Sequence, residues 1–463
     1  MTNKNIIAMM FAAATLSSCG LYQKYERPAV NAEGLVRDVV SDVDTLAVSD
    51  TACFGDLEWR KVFTDPQLQS LIDVALENNT DLLNASLNID MAKAQLTSAR
   101  LAFLPQFAFS PSGTLSKVLA KDQEWYKTYS LPVDASWSVD AFGKLRAANR
   151  AAKVSLLQSQ YYQQAVRSGV ICGIANCYYS LLMMDAQLQI LDEMTKLTKD
   201  NWEMMKLQKS LGGARETSVG AAEASYLSVQ ASAIDMKRQI RETENTLSLL
   251  LGQSAHQIQR GKLDAQVLPT EFSTGLNIHM LNNRPDVMAK EMALASCFYG
   301  VEQARANFYP SITISAEGAF TNSLGSVIVN PGKFMAAFVA SLTQPIFAQG
   351  KLIAGLKVAK AQYQQAYNNW QYNILSAGAE VSDALVQYNS SKDKAVVDKQ
   401  QVEVLTKNVS YTRDLFKMGS STYLEVIGAQ QSLLNAEISL VTDNFNKMQA
   451  VVNLYSALGG GRK

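Results

Sequence analysis

The sequence predicts a mainly α protein with a membrane β-barrel part and an internal two-fold repeat. Three observations carry this. Two proline-free runs of about 65 residues each follow a long apolar seam. Four segments of about ten residues alternate apolar and polar positions. Short motifs also recur at a fixed offset: Asp140–Ala147 reads DAFGKLRA, and Phe347–Ala354, 207 residues later, reads FAQGKLIA, with five of eight positions identical. Leu211-Gly212-Gly213 aligns with Met418-Gly419-Ser420 at the same offset. A period of about two hundred residues is too long for a solenoid unit, so it describes two similar halves that need each other.

Residues 1–18 read as a lipoprotein signal peptide. Lys4 gives a positive start, and Ile6–Ala14 is an apolar run too short to span a bilayer. Leu16-Ser17-Ser18-Cys19-Gly20 resembles a bacterial lipobox, which makes Cys19 the lipid-attachment residue after cleavage. Ser18 departs from the Gly or Ala usual before the cysteine, and the competing reading is an ordinary signal peptide with a chance cysteine. Residues 19–57 carry little periodicity and read as an N-terminal tether. No later segment holds eighteen consecutive apolar residues, so no transmembrane helix is expected.

The first repeat, residues 58–265, opens with a helix expected over Leu68–Phe103, stopped before Pro105. Two strands follow. Phe107, Phe109 and Leu115 set a period of two, and Tyr129, Leu131, Val133, Ala135, Trp137 and Val139 continue it with mostly polar residues between them. A helix over Ala147–Leu211 has no proline, ends at Gly212-Gly213 and turns into a second helix from Glu216 to about Leu251.

The second repeat, residues 266–463, has the same order. Arg284-Pro285-Asp286 opens a helix to Phe308, with Pro and Asp where a first turn favours them. Ile312, Ile314, Ala316 and Phe320 alternate in one strand, and Phe334, Ala336, Phe338, Ala340 and Leu342 in another. The long helix then carries Leu352, Leu356, Ala359, Tyr363, Ala366, Trp370, Ile374, Ala377, Val381, Ala384 and Tyr388 in steps of three and four, continuing through Ala395, Val402, Leu405, Val409, Thr412 and Phe416, with Ser391 and Asp398 as breaks. At 1.5 Å per residue such a helix is roughly 100 Å long, far above the mean of about twelve residues. After Gly419-Ser420 a last helix runs from Tyr423 to about Leu458.

Composition excludes other classes. Lys+Arg and Asp+Glu are 42 each, so there is no basic footprint for nucleic acid. The two histidines, His256 and His279, have no matching cluster of acids or cysteines nearby and read as surface or hinge residues. Cys53, Cys172, Cys177 and Cys297 show no CxxC spacing and read as packing residues. No catalytic residue, metal site or cofactor is expected. The strands alone are compatible with a soluble sheet packed on helices; the lipobox, the long helices and the aromatic residues on the apolar face favour a membrane barrel. Four strands cannot close a barrel, since small membrane barrels need at least about eight, and an open edge in lipid leaves unsatisfied backbone groups. The chain must therefore pool strands with copies of itself.

Several stretches together resemble the outer-membrane efflux proteins of Gram-negative bacteria, and within them the lipoprotein branch: YERPAV after the cysteine, EWRKVFTDPQLQSLIDVALENNTDL at 58–82, NNRPDVMAKE at 282–291, GKL in both halves, and YLEVIGAQQSLLNAE at 423–437. The resemblance covers nearly the whole chain. It implies a homotrimer whose helical hairpins form an α-barrel and whose strands share a twelve-stranded barrel in the outer-membrane lipid. It implies as partners a periplasmic adaptor (membrane fusion protein) and an inner-membrane efflux transporter. It makes Gly212, Gly213, Gly419 and Ser420 the periplasmic tip turns that meet the adaptor. By carry-over from better-known members, the carboxylate six residues after the second tip glycine lines the constricted end; here that is Glu425, with Leu424 as an apolar neighbour. Where some members have a second carboxylate, this chain has Gly428. The competing reading of Glu425 is a solvated first-turn acid at a helix start. The function implied is an exit duct of a tripartite pump for drugs, toxic compounds or metal ions. A type I secretion channel or a lipid-anchored trimeric periplasmic scaffold is the alternative.

Overall fold

The computed structural model describes residues 23–29, 54–117, 125–269, 284–321 and 333–462. The signal peptide, Cys19, most of the tether, Cys53 and His279 lie outside the described residues. The described chain is mainly helical, with one antiparallel sheet.

A 3₁₀ turn at Phe54–Asp56 leads into α1 (Trp59–Val62), α2 (Pro66–Asn78) and α3 (Thr80–Leu101). Asp65 caps α2, its carboxylate accepting from the Gln67 N–H at 2.8 Å, with Pro66 at the first helical position. The single helix expected over Leu68–Phe103 is two helices. Asn79 is extended (φ −62°, ψ 125°), and its side-chain oxygen accepts from the N–H groups of Asp81 at 3.0 Å and Leu82 at 3.1 Å. A short amide side chain that bonds the backbone two and three residues on competes with helix continuation, so Asn79 ends α2 and caps α3.

The sheet holds β1 (Gln106–Phe109), β2 (Ser112–Ser116), β3 (Tyr126–Val139), β4 (Ser311–Thr321) and β5 (Lys333–Thr343). The first expected strand is thus split. β1 and β2 pair with β3 in one unbroken register: Phe109 is opposite Val133 and Ser112 opposite Ser130. Ser110 and Pro111 fall opposite Pro132 and Leu131. Pro132 has no N–H to return to the Ser110 carbonyl, so that pair keeps only the Ser110 N–H to Pro132 carbonyl bond at 3.4 Å and regular pairing lapses before it resumes. β3 pairs with β4, and β4 with β5, all antiparallel.

α4 (Lys144–Ser210) and α7 (Lys351–Lys417) have 67 residues each, and α5 (Glu216–Leu250) and α8 (Tyr423–Ala457) have 35 each. Both pairs start and end 207 residues apart. α6 (Pro285–Ala306) has 22 residues, as α3 does. Every residue of the predicted α7 seam is buried or half-buried. Ser391 and Asp398, expected as breaks, are both 7% exposed and continue it. One stretch of α4 is long and apolar enough by composition to cross a membrane, but 56% of it is buried inside the protein, as in a core helix.

The chain divides into two compact units that interleave along the sequence. One comprises residues 1–30, 87–160 and 289–371, which include the sheet. In it Tyr25 stacks edge-on against Phe298 at 5.9 Å, and Arg27 pairs with Glu291 at 3.3 Å. The other comprises residues 31–86, 161–288 and 372–463. Its main core joins Phe54, Trp59, Phe63, Leu68 and Ile72 to Tyr178 and Tyr179 of α4, Leu247 of α5 and Tyr455 of α8.

Candidate functional site

The sheet separates its side chains by register. Phe107, Phe109, Leu115, Leu131, Val133, Ala135, Trp137, Ile312, Ile314, Ala316, Phe320, Phe338 and Leu342 share one face. Phe107 is 71% exposed and Phe338 83%. The opposite face carries Ser130, Asp134, Ser136, Ser138, Thr313, Ser315, Glu317 and Ser341. Exposed aromatic and branched side chains over an entire face of strands this long are what a lipid-facing surface requires. Among the described residues the two outer strands keep unpaired edges, which hydrocarbon does not tolerate.

At the far end of each long helix the chain reverses. Gly212 has φ +80°, its N–H donates to the Lys209 carbonyl at 3.0 Å, and the Gly213 N–H donates to the Gln208 carbonyl at 2.8 Å. Gly419 has φ +73°, its N–H donates to the Phe416 carbonyl at 3.0 Å, and the Ser420 N–H donates to the Leu415 carbonyl at 2.9 Å. Both are Schellman ends, which need a left-handed residue at the glycine. A Cβ at either glycine would meet nothing within 4 Å, and the preceding Leu211 and Met418 are 78% and 76% exposed. The turns are bare and open.

Behind them Met205, Val219, Ala222, Tyr423 and Val426 form a small core drawn from α4, α5 and α8. Trp202 stacks on Tyr226 at 5.6 Å, and the Lys206 ammonium lies 3.3 Å from the Trp202 ring centroid. α8 opens with a capping box. The Thr422 side chain accepts from the Glu425 N–H, and the Glu425 carboxylate accepts from the Ser421 hydroxyl and the Thr422 N–H. The Ser421 bond, aided by Thr422, holds the Glu425 carboxyl below its ordinary range. Leu424 is 71% exposed beside it, and Gly428 offers no second carboxylate. Glu425 therefore has a local helix-capping role that sequence reasoning missed, although the Thr422-x-x-Glu425 pattern was the available signal.

The other singled-out residues are structural. His256 is an exposed residue just past α5, its ring nitrogen 2.9 Å from the Ser254 carbonyl. Cys172 is buried, with its thiol pushed up to about 12 by burial, and Cys177 and Cys297 are shifted up for the same reason. Sequence reasoning missed two latches. The buried Asn79 amide donates to the last carbonyl of α5, Leu250, at 2.8 Å. The buried Arg284 guanidinium donates to the last carbonyl of α8, Ala457, at 2.9 Å. Each sits just before the 22-residue helix of its half. The aligned NNTD and NRPD stretches were the available signal.

A sheet apolar over one face, joined to hairpins of 67- and 35-residue helices, defines the class of outer-membrane channel proteins with helical extensions. The family model described as outer membrane efflux protein matches residues 71–253 and 279–460, and the chain belongs to that family. It is 29% identical over 450 residues to the cation efflux system protein CusC of Escherichia coli O157:H7, covering 97% of each chain. It is 28% identical to the probable outer membrane lipoprotein SilC of Salmonella typhimurium, covering 88% of this chain and 89% of that one. It is 26% identical to the toluene efflux pump outer membrane protein TtgC of Pseudomonas putida, covering 99% and 96%. A crystal structure of CusC superposes with a TM-score of 0.81 at 28% identity over 95% of this chain and 99% of that one. The outer-membrane channel OprN superposes with a TM-score of 0.84 at 22% identity, over 95% and 99%.

Proposed function

We propose that this chain is the outer-membrane exit duct of a tripartite efflux pump. It conducts passively what an inner-membrane transporter and a periplasmic adaptor deliver. The observation that carries this is the sheet with one apolar face and, among the described residues, two open edges, in which β1 and β2 lie end to end along β3 and so count as one of four strand positions. Such a sheet is stable in lipid only when its edges are paired. Three copies supply twelve strands, enough to close a barrel, and the two halves of each chain then give a near-uniform ring of helical hairpins. On this reading Cys19 carries the lipid. Residues 1–18 are the signal peptide, 19–57 the tether, and 58–265 and 266–463 the two structural repeats. The duct performs no chemistry and needs no cofactor. Its cargo class is drugs, toxic compounds or metal ions, in keeping with relatives named for cations and for toluene.

The turns at Gly212-Gly213 and Gly419-Ser420 are the adaptor contacts. They are exposed, closed by backbone hydrogen bonds, and flanked by the protruding Leu211 and Met418 side chains. Gly419→Arg is expected to abolish efflux while trimers persist. A side chain at the left-handed position costs only about 1 kcal/mol, so loss of export would come from the blocked contact. Normal export by this variant, measured as resistance of a cell lacking its own duct, would remove the tips from the adaptor interface.

Glu425 and Leu424 form the gate. Three Glu425 carboxylates near one axis repel one another and attract cations. Planar-bilayer conductance is expected to be cation-selective. Glu425→Ala should weaken that selectivity and Glu425→Lys reverse it. Ser421 and Thr422 favour the ionised carboxyl while repulsion within the ring opposes them, so selectivity is expected at neutral pH and to fade in acid as the ring takes up protons. Identical conductance in all three proteins would leave Glu425 with its capping role alone.

A further inference from the structure

One buried layer changes from apolar to charged between helix pairs of matching length. On α4 and α5, Leu191 is 2% exposed and packs in one apolar cluster with Met236. The residues 207 positions later, on α7 and α8, are Asp398 and Asp443. Gln187, one turn before Leu191, is matched by Lys394. An apolar layer in the first pair is thus a charged layer in the second. Asp398 is 7% exposed and Asp443 2%. The Lys394 ammonium reaches Asp443 at 3.1 Å from Oδ1 and 3.0 Å from Oδ2. Asp398 Oδ2 is buried with no hydrogen-bond partner.

One ammonium therefore faces two buried carboxyls. An uncompensated buried carboxylate is unfavourable and recovers by taking up a charge. We propose that Asp398 binds a proton against Asp443 and that this proton sets how tightly α7 packs on α8 at this level. With the proton in place, one carboxyl donates to the other and Lys394 neutralises the remaining charge. Without it, two carboxylates press against each other across the α7–α8 contact and the pair loosens.

The surrounding charges agree. The Asp443 carboxyl beside it, then burial, raises the Asp398 pKa, with Lys394 opposing. Among the described residues no other charged group acts on it. On α4, Asp192 is paired with Lys237 of α5 at 3.4 Å, and Glu193 accepts from Gln189 at 3.1 Å and lies beside Glu437 of α8. Since the folded pKa of Asp398 is raised, the tightening is fully present below the ordinary Asp value of about 3.9 and is lost as pH rises through the higher folded value. The joint stands on the α7–α8 contact and is independent of the duct reading.

Hydrogen exchange of the full-length protein in detergent tests it, read over residues 391–402 and 436–447 and corrected for intrinsic exchange. Wild type should lose protection severalfold between about pH 4 and about pH 8. Asp398→Asn should abolish this difference and keep protection high throughout. Should that variant fail to assemble, Asp398→Leu with Asp443→Met transplants the apolar layer of the first helix pair and should likewise be pH-independent. Wild type with no pH dependence in these segments, or either variant retaining it, overturns the proposal.

Discussion

Arg284→Ala is expected to destabilise the folded chain by about 3 kcal/mol, the low end of the range of about 3–5 kcal/mol for breaking a buried ion pair. The Arg284 side chain is 9% exposed. Its Nε and one terminal nitrogen grip both oxygens of Asp286 at 3.0 and 2.8 Å. The other terminal nitrogen reaches Glu380 of α7 at 2.7 Å and the last carbonyl of α8 at 2.9 Å. One fork thus ties the start of α6 to the middle of α7 and the end of α8. Removing it orphans a buried carbonyl and two carboxylates. Asp286 and Glu380 are 36% and 50% exposed and can rehydrate, which keeps the cost at the low end. Arg284→Lys should lie between the two, because an ammonium cannot hold both Asp286 oxygens and the carbonyl in one plane.

The pH dependence follows from Asp286. Burial alone would raise its pKa, but Arg284 outweighs that and holds it below the ordinary value. The stabilisation is therefore present above about 3.9 and is lost as pH falls through the lower folded value. Chemical unfolding of the detergent-solubilised protein should show the wild-type advantage over Arg284→Ala shrinking in acid. An unchanged unfolding midpoint at neutral pH would show that the fork contributes nothing net.

The second large effect is expected at Arg27. Glu291 on α6 is 7% exposed at its side chain and faces Arg27, which also lies 5.8 Å over the Trp370 ring of α7. Residues 23–29 thereby strap α6 to α7. Arg27→Ala leaves Glu291 buried without its cation and is expected to cost about 2 kcal/mol, less than for a fully buried pair because Arg27 is 33% exposed. Burial already raises the Glu291 pKa against Arg27's pull. In the variant Glu291 should titrate higher still, so the defect should ease as the pH is lowered and the carboxyl protonates. Glu291→Gln should restore most of the stability of Arg27→Ala. A double variant as unstable as the single one would show that Arg27 acts through Trp370 or Tyr25 packing instead.

What could be read from the sequence was periodic or punctuated. The α7 seam from Leu352 to Phe416, the strand alternation from Tyr129 to Val139 and the glycines at 212 and 419 all depend on local geometry: 3.6 residues per turn, two per pleat, and a left-handed residue where a helix must reverse. These fixed the elements and the nature of their faces. The capping box at Thr422–Glu425 is equally local, though in the sequence Glu425 reads only as a gate or a solvated first-turn acid.

Only the folded chain decided the rest. Asn79 divides a helix because its amide finds Asp81, Leu82 and the end of α5, partners that lie 171 residues apart in the last case. The strand is interrupted at Ser110 because Pro132, which has no N–H to give it, falls opposite, a matter of register invisible in either segment alone. Asp398 looked like a flaw in the seam and is buried beside Asp443. Its charge could not be judged until α8 had placed a second carboxyl and α7 a lysine against it. Periodicity specifies which face of an element is hidden. The partner that meets a given polar group there depends on long-range packing, which brings together residues whose spacing carries no signal.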